Sequence, residues 1–373
     1  MNILICSDSF KDSLSSREVS YIIRDILFEK FPNANINCVP LADGGEGSLS
    51  ALEPILGGEI ITHSSVDALL RPITASFLLF RDKHHAIVEL AQTCGLALLD
   101  QADRNCLYTS TYGVGLQIKK AIEHKAHTID LLIGGSSTND LGLGMVAALS
   151  HDFSSYNKKI KYPTGKDLLT IDKIVSSALS TPNVVINVIT DVNNILLGSD
   201  GATFTYGLQK GASEEELIKL EAGAENIVKL VQEFDSTDYH LRSGAGASGG
   251  VGYGAMAFLG AARVSGIDYM IDQLALTQKI DDADLVITGE GKMDSQTNNG
   301  KLVSGICKLA QSKNKEVVAV CAINELSQAD NYNLGIKAIY PMYEISPLQI
   351  SKHDSEIRLK KIASDIIDKH IEW

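Results

Sequence analysis

Five short polar stretches carry the residues best suited to chemistry: 7–12, 42–47, 134–140, 191–194 and 289–296. Each follows an apolar run or stands in a cluster of glycines. Asp8, Asp43, Asp191 and Glu290 lie within a few positions of strand-like segments. An acidic residue at a strand end is ordinarily a helix cap or a turn former. Four of them, in company with so many glycines, point instead to a cleft that handles phosphate and metal. Carboxylates suit Mg²⁺, which takes a few of them and completes its shell with substrate oxygens. Glycines let backbone N–H groups approach phosphate.

The fullest of these stretches is Leu131-Leu132-Ile133-Gly134-Gly135-Ser136-Ser137-Thr138-Asn139-Asp140. An apolar strand gives way to two glycines, then to hydroxyl, amide and carboxylate side chains, then to an apolar helix over 144–149. A strand, a glycine loop and a helix N-terminus together make an anion site, because unpaired N–H groups and the helix dipole both favour negative charge. The plainer alternative is a strand-to-helix turn capped by Asn139 or Asp140. The residues alone leave both open. The chain carries a net charge of −13, so an anionic substrate would need local cations. Lys11, Arg71, Lys210, Arg242 and Lys301 flank glycine-rich stretches, although any one of them also reads as a solvated surface cation.

Several familiar signatures are absent or out of context. Gly-Lys occurs at 165–166, 291–292 and 300–301, and none completes GxxxxGK[ST]. Gly244-Ala245-Gly246-Ala247-Ser248-Gly249 matches GxGxxG, but no convincing buried strand precedes it, so it does not read as a dinucleotide fingerprint. His124 and His127 lack a third metal ligand in view. Ser136 stands in no GxSxG elbow.

The elements that would position these residues alternate. Asn2 to Cys6 reads as a strand rather than a signal peptide. Ser15 and Glu18 form a capping box that opens a helix to about Lys30. Ile36 to Leu41 is a second strand, and 48–56 a helix. From about residue 60 the texture changes to closely spaced strands, Ile73 to Phe80 and Ala86 to Leu90, as in an antiparallel or mixed sheet. Residues 151–183 read as polar and peripheral. Val184 to Thr190 is a strand, and Ser213 with Glu216 caps a long helix to about Phe234. After about 275 the β/α alternation returns, with Leu285 to Thr288 a strand that ends in a polar loop, Leu302 to Gln311 a helix and Val317 to Cys321 a strand. With 373 residues, two domains are expected. The economical reading is one α/β domain built from both termini, with a second domain inserted. Composition is that of a soluble globular protein, 45% hydrophobic and 21% charged. No apolar run is long enough for a membrane span, and the acidic balance argues against nucleic acid. The six cysteines are scattered without CxxC, which suggests reduced thiols and a cytoplasmic setting.

At this point the motifs resemble those of a known family, the bacterial type-I glycerate kinases. The similarity rests on Ser7-Asp8-Ser9-Phe10-Lys11-Asp12-Ser13-Leu14-Ser15, Ala42-Asp43-Gly44-Gly45-Glu46-Gly47, Gly134 to Asp140, and Asp191-Val192-Asn193-Asn194-Ile195-Leu196. It continues in Gly207-Leu208-Gln209-Lys210-Gly211-Ala212, Gly244 to Gly250, and Leu285 to Gln296. These motifs fall in order along nearly the whole chain. Four positions depart. Asp140-Leu141-Gly142 replaces Asp-Gly-Gly, and Asn193-Asn194-Ile195 replaces Asn-Pro-Leu. Ala68-Leu69-Leu70-Arg71 replaces Pro-Leu-Gly-Arg, and Cys321-Ala322-Ile323-Asn324 replaces a glycine-rich strand end.

The resemblance implies a flavodoxin-like parallel-sheet α/β domain, 1–60 with 275–373, and an inserted mixed α/β domain, 61–274. It implies ATP- and Mg²⁺-dependent phosphorylation of D-glycerate, on the 2-hydroxyl. Alternatives are the 3-hydroxyl, another small hydroxy acid, or a non-catalytic binding protein. On that basis Asp191 is the expected base, with Asp43 and Lys11 also catalytic. Ser9, Arg71, Asn139 and Asp140 are expected at the substrate. Gly134, Gly135, Ser136, Ser137, Thr138, Gly244, Gly246, Gly249 and Lys301 are expected at the nucleotide, and Glu290 and Asp294 at the metal. The expected partners are small molecules only, with no nucleic acid and no membrane.

Overall fold

The structure, a computed structural model, describes residues 1–10, 13–42, 44–175, 184–295, 297, 302–344 and 351–370. Lys11, Asp43 and Lys301 lie outside the described residues. Contacts divide the chain into two compact units. Met1–Asp43, Ser50–Gly57 and Gly266–Trp373 form the first, and Gly44–Leu49 with Gly58–Ser265 form the second.

The first unit is a five-stranded sheet of β1 (Asn2–Ser7), β2 (Asn35–Cys38), β12 (Leu285–Met293), β13 (Glu316–Asn324) and β14 (Ala338–Tyr343), in the spatial order β14-β13-β12-β1-β2. Every pairing is parallel. Counted within the unit, the order is 2-1-3-4-5, the flavodoxin-like arrangement. Both faces are covered because side chains alternate along each strand. Ile3, Ile5, Leu285, Ile287, Val318 and Val320 join Val19, Ile23 and Leu27 of the helix Ser16–Lys30, and Leu359 and Ile366 of the helix Lys352–His370. The alternate residues Leu4, Val286, Val317 and Ala319 are equally buried, and helix Leu302–Ser312 packs against β12 and β13. The Ser15–Glu18 capping box forms as expected, with Ser15 Oγ accepting the Glu18 N–H at 3.2 Å.

Residues 289–293 differ from the polar loop expected there. They continue β12, with Glu290 opposite Cys321 and Met293 opposite Asn324. The reason is that β13 runs equally far and supplies a full hydrogen-bonding partner. The second strand is shorter than expected and ends at Cys38.

The second unit holds a six-stranded mixed sheet of β3 (Glu59–Val66), β4 (Pro72–Phe80), β5 (His85–Glu89), β6 (Thr128–Leu132), β10 (Val185–Ile189) and β11 (Ala262–Val264), in the order β11-β10-β6-β5-β4-β3. β3, β4 and β5 form an antiparallel meander, whereas β5, β6, β10 and β11 are parallel. A separate antiparallel sheet, β8-β7-β9, is made of β7 (Asp152–Ser155), β8 (Lys158–Ile160) and β9 (Lys173–Val175). It corrects the peripheral reading of 151–183 as far as residue 175; 176–183 lie outside the described residues. Phe153, Leu168 and Ile171 are buried in the unit's main core, so this polar-looking segment is anchored by a few apolar side chains. No described helix is long and apolar enough to cross a membrane.

Candidate active site

The parallel half of the second sheet ends in a row of polar groups. β5 ends in Glu89. β6 runs into Gly134–Asp140, β10 into Thr190–Asn194, and β11 into Ser265. Carboxyl ends of parallel strands are where open α/β sheets take their ligands.

The 134–140 loop is fixed from several sides. Gly134 donates its N–H to Gly44 O at 2.9 Å, and a Cβ at Gly134 would come within 2.6 Å of the Gly45 backbone. The two glycine motifs therefore touch, backbone to backbone. Ser137 donates both its N–H (2.8 Å) and its hydroxyl (2.9 Å) to Cys94 O. Ser136 Oγ accepts a hydrogen bond from Lys210 Nζ at 2.8 Å, and Thr138 O accepts another at 2.8 Å. Thr138 and Asn139 are buried, yet Thr138 Oγ1 and Asn139 Oδ1 have no hydrogen-bond partner among the described residues. The Asn139 amide does reach Thr203 Oγ1, at 3.4 Å.

Asp140, expected at the substrate, is fully enclosed. Its carboxylate accepts from Thr111 N (2.8 Å), Thr111 Oγ1 (2.7 Å), Gly142 N (3.1 Å) and Gly144 N (3.1 Å). All four groups donate, which suits an ionised carboxylate, although burial pushes its pKa up. These partners make Asp140 the clamp of the helix entry at Leu143, although the N-cap position itself is Gly142, not Asn139 or Asp140.

The Gly244–Gly250 stretch is packed onto the same loop. Gly249 adopts φ +66°, and a Cβ there would lie 2.0 Å from Thr138 O. No other residue fits that approach. Gly249 O accepts the Leu141 N–H at 3.1 Å, and Ser248 donates its hydroxyl to Ile133 O. Gly246 donates to Asn194 O at 2.9 Å, which ties in the third loop. Gly244, at φ +85°, lies against the Arg263 side chain.

In the 191–194 loop, Asp191 Oδ1 accepts from Ser265 Oγ at 3.2 Å. Asn193 Oδ1 accepts from Arg263 (2.7 Å) and from Ser243 (3.0 Å). Asn194, where the resembling family carries proline, holds the loop by its side chain, donating to Asp200 O (2.6 Å) and accepting from Tyr206 (2.9 Å).

Sequence reasoning missed Glu89 and, although it singled out Lys210 as a candidate cation, did not foresee that Lys210 is buried. Glu89 is fully buried and accepts the N–H groups of Gly47 (3.1 Å) and Leu49 (2.8 Å), so it caps the helix Ser48–Leu56 and grips the 44–49 motif. Burial pushes its pKa up, opposed by those two N–H groups. Its signal was the one that marked Asp191, an acidic residue closing an apolar strand. Lys210 is also buried, and burial pushes its pKa down to about 8. Its signal was a cation within a glycine motif.

Arg71 is not drawn to these loops by its hydrogen bonds. Its guanidinium pairs with Asp67 (2.6 Å) and Asp103 (2.8 Å) at the β3–β4 turn.

In the first unit, β1 and β12 are neighbours at the reversal of strand order, the position where such sheets bind ligands. Ser7 pairs with Gly289, and Asp8 donates its N–H to Gly289 O at 2.8 Å. Ser9 is exposed just beyond, with its N–H on Asp8 Oδ1 at 2.7 Å. Glu290 Oε1 accepts from Thr297 Oγ1 at 2.6 Å, and Thr297 Oγ1 accepts the Asp294 N–H at 3.0 Å. Lys292 lies 3.8 Å from the Asp294 carboxylate.

Comparison with known proteins agrees with this architecture. The family model described as "Glycerate kinase family" matches residues 3–370. A glycerate kinase from Bacillus subtilis (strain 168) is 34% identical over 369 residues, covering 98% of this chain and 97% of that protein. A glycerate 2-kinase from Escherichia coli (strain K12) is 38% identical over 322 residues, covering 86% and 84%. A crystal structure assigned to a glycerate kinase 2 of Salmonella typhimurium LT2 superposes with a TM-score of 0.83 at 33% identity, covering 99% of this chain and 97% of that one. Fold, ordered motifs and relatives agree: this chain belongs to the glycerate kinase family.

Proposed function

We propose that the protein transfers the γ-phosphoryl group of ATP to D-glycerate, on the 2-hydroxyl, giving 2-phosphoglycerate. The observation that carries this reading is the convergence of Gly44 to Gly47 of the 42–47 motif with the motifs 134–140, 191–194 and 244–250 at the carboxyl ends of β5, β6 and β10. Phosphoryl transfer asks for in-line positioning, charge neutralisation and a group that takes the hydroxyl proton. In this reading Asp191 takes that proton, its carboxylate oriented by Ser265. Asp43 and Lys11 assist at the reacting groups. The glycine-rich backbone of 134–138 and 244–249 receives phosphate, together with Lys301. Ser9, Asn139 and Arg71 serve the glycerate. For Arg71 that role requires exchange of a carboxylate partner, Asp67 or Asp103, for the substrate's own.

A Mg²⁺ ion suits Glu290 and Asp294. Both offer carboxylate oxygens, with Thr297 Oγ1 linking the Glu290 carboxylate to the Asp294 backbone N–H, and Mg²⁺ takes one or two carboxylates before phosphates and water complete its shell. The ion would neutralise charge on the transferring phosphate. We place the protein in the cytoplasm, since all six cysteines are free thiols.

Two experiments test this reading. Phosphorus NMR of the product formed from D-glycerate and MgATP should show the ester on the secondary carbon. A primary ester would move the reaction to the 3-hydroxyl. Asp191→Asn should lower kcat by at least roughly a hundredfold, within the range of general-base catalysis. Near-normal turnover by a folded variant would remove Asp191 from that role.

A further inference from the structure

Lys210 has an unusual position for a lysine. It is 4 % exposed, on a short turn whose backbone is pinned by Cys106 N, which donates to Lys210 O at 3.1 Å. Gly211 follows at φ +86°, so close to Arg104 O that a Cβ would lie 1.9 Å from it. The turn thus directs the side chain inward. Its ammonium donates to a hydroxyl, Ser136 Oγ, and to a carbonyl, Thr138 O. Both partners are neutral. An enclosed cation costs free energy unless it is compensated; its two direct contacts are neutral and the Asp140 carboxylate acts on it without a hydrogen bond, so no anion is paired with it beneath the glycine loop.

We propose that Lys210 is a positioning residue of the 134–138 loop, an enclosed ammonium that turns Ser136 and the Thr138–Asn139 peptide into donors for an incoming phosphate. The inference rests on the reading that this loop receives phosphate. A hydroxyl oxygen that accepts from an ammonium directs its own hydrogen elsewhere. The Thr138 carbonyl is drawn toward Lys210, so the N–H of the same trans peptide, on Asn139, points the opposite way. The loop also keeps polar capacity in reserve, because buried Thr138 Oγ1 and Asn139 Oδ1 have no partner among the described residues. An anion bound to Ser136 would neutralise the ammonium with little competition from solvent.

Calorimetric titration of inorganic tripolyphosphate into the full-length protein tests this without turnover. Wild type is expected to bind, and Lys210→Met to bind at least roughly tenfold more weakly, as befits loss of a charge-assisted contact. In turnover the KM for MgATP should rise by a similar factor while the KM for glycerate holds. Ser136→Ala added to Lys210→Met should bring little further loss, since both act through one contact. If Lys210→Met does not accumulate in folded form, Lys210→Gln is read by the same criteria. Equal affinity in wild type and variant, additive losses in the double variant, or no tripolyphosphate binding by wild type overturns the proposal. Lys210-dependent tripolyphosphate binding without glycerate phosphorylation would overturn the substrate reading and leave this one standing.

Discussion

Leu70 and Leu141 both occupy the left-handed region, at φ 64° and 56°. They stand where the resembling family carries glycine, so the backbone has kept a glycine conformation after the glycine was lost. Each conformation costs about 1–2 kcal/mol for an L-residue with a side chain. What restoring glycine would do depends on what the side chain contributes. Leu70 is only partly buried in the β3–β4 turn, and Leu70→Gly should change stability by less than about 1 kcal/mol, because relieved strain and lost chain stiffness offset. Leu141 is fully buried, and Leu141→Gly should cost more than about 2 kcal/mol, since a core cavity outweighs the relief. Urea unfolding of both variants checks the contrast, and equal effects would contradict it. Asp140→Ala should cost more than about 3 kcal/mol, because it leaves several buried donors unpaired at once. Leu141 and Asp140 act on the loop after β6, and Leu70 on the β3–β4 turn.

Lys210 gives a pH signature. Its folded pKa, about 8, lies below the ordinary lysine value of 10.5. Between those values the unfolded chain binds more protons, so this group adds stability as pH rises through that window. Cys106 and Asp140 are the titratable groups that act on it, both holding its pKa up. The stability of wild type relative to Lys210→Met should therefore increase from pH 8 to pH 10, by up to about 3 kcal/mol. A difference that is flat or falls would contradict the burial argument.

At the scale of elements, the helix Ser48–Leu56 depends on a residue forty positions away. Glu89, at the end of β5, accepts the Gly47 and Leu49 N–H groups that the helix cannot satisfy itself. Glu89→Ala should destabilise the protein by about 2 kcal/mol and loosen the 44–49 motif. Hydrogen exchange at Gly47 and Leu49 reads this directly, and unchanged protection there would contradict it. The elements themselves were largely legible. The capping boxes at Ser15 and Ser213 and the apolar runs of β1, β6 and β10 mark their starts and ends by local chemistry. What was not legible depends on partners distant in sequence. β12 outruns its apolar run because β13 offers it a ladder. The segment 151–175 folds inward because Phe153, Leu168 and Ile171 find a core supplied by other elements. Glu89 and Lys210 looked like ordinary charges, and only the fold reveals that both are enclosed.

At the scale of the molecule, two units repeat one architectural device. In each, parallel strands deliver polar residues to their carboxyl ends: Asp8 and Asp294 in the first, Glu89, the 134–140 loop and Asp191 in the second. The sequence disclosed the glycine loops and most strand-end carboxylates because strand ends announce themselves by the change from apolar to polar residues. It did not disclose that Asp140 is consumed in holding its own loop, or that Arg71 is paired twice. Membership of the glycerate kinase family accounts for the order of the motifs, and the local geometry accounts for why glycines recur in them. The central claim is the reaction. It is tested most directly by adding D-glycerate and MgATP with enolase present and phosphoglycerate mutase absent, and following ADP and phosphoenolpyruvate together. The account predicts ADP release with immediate phosphoenolpyruvate formation, whereas ADP without phosphoenolpyruvate, or no ADP at all, would contradict it.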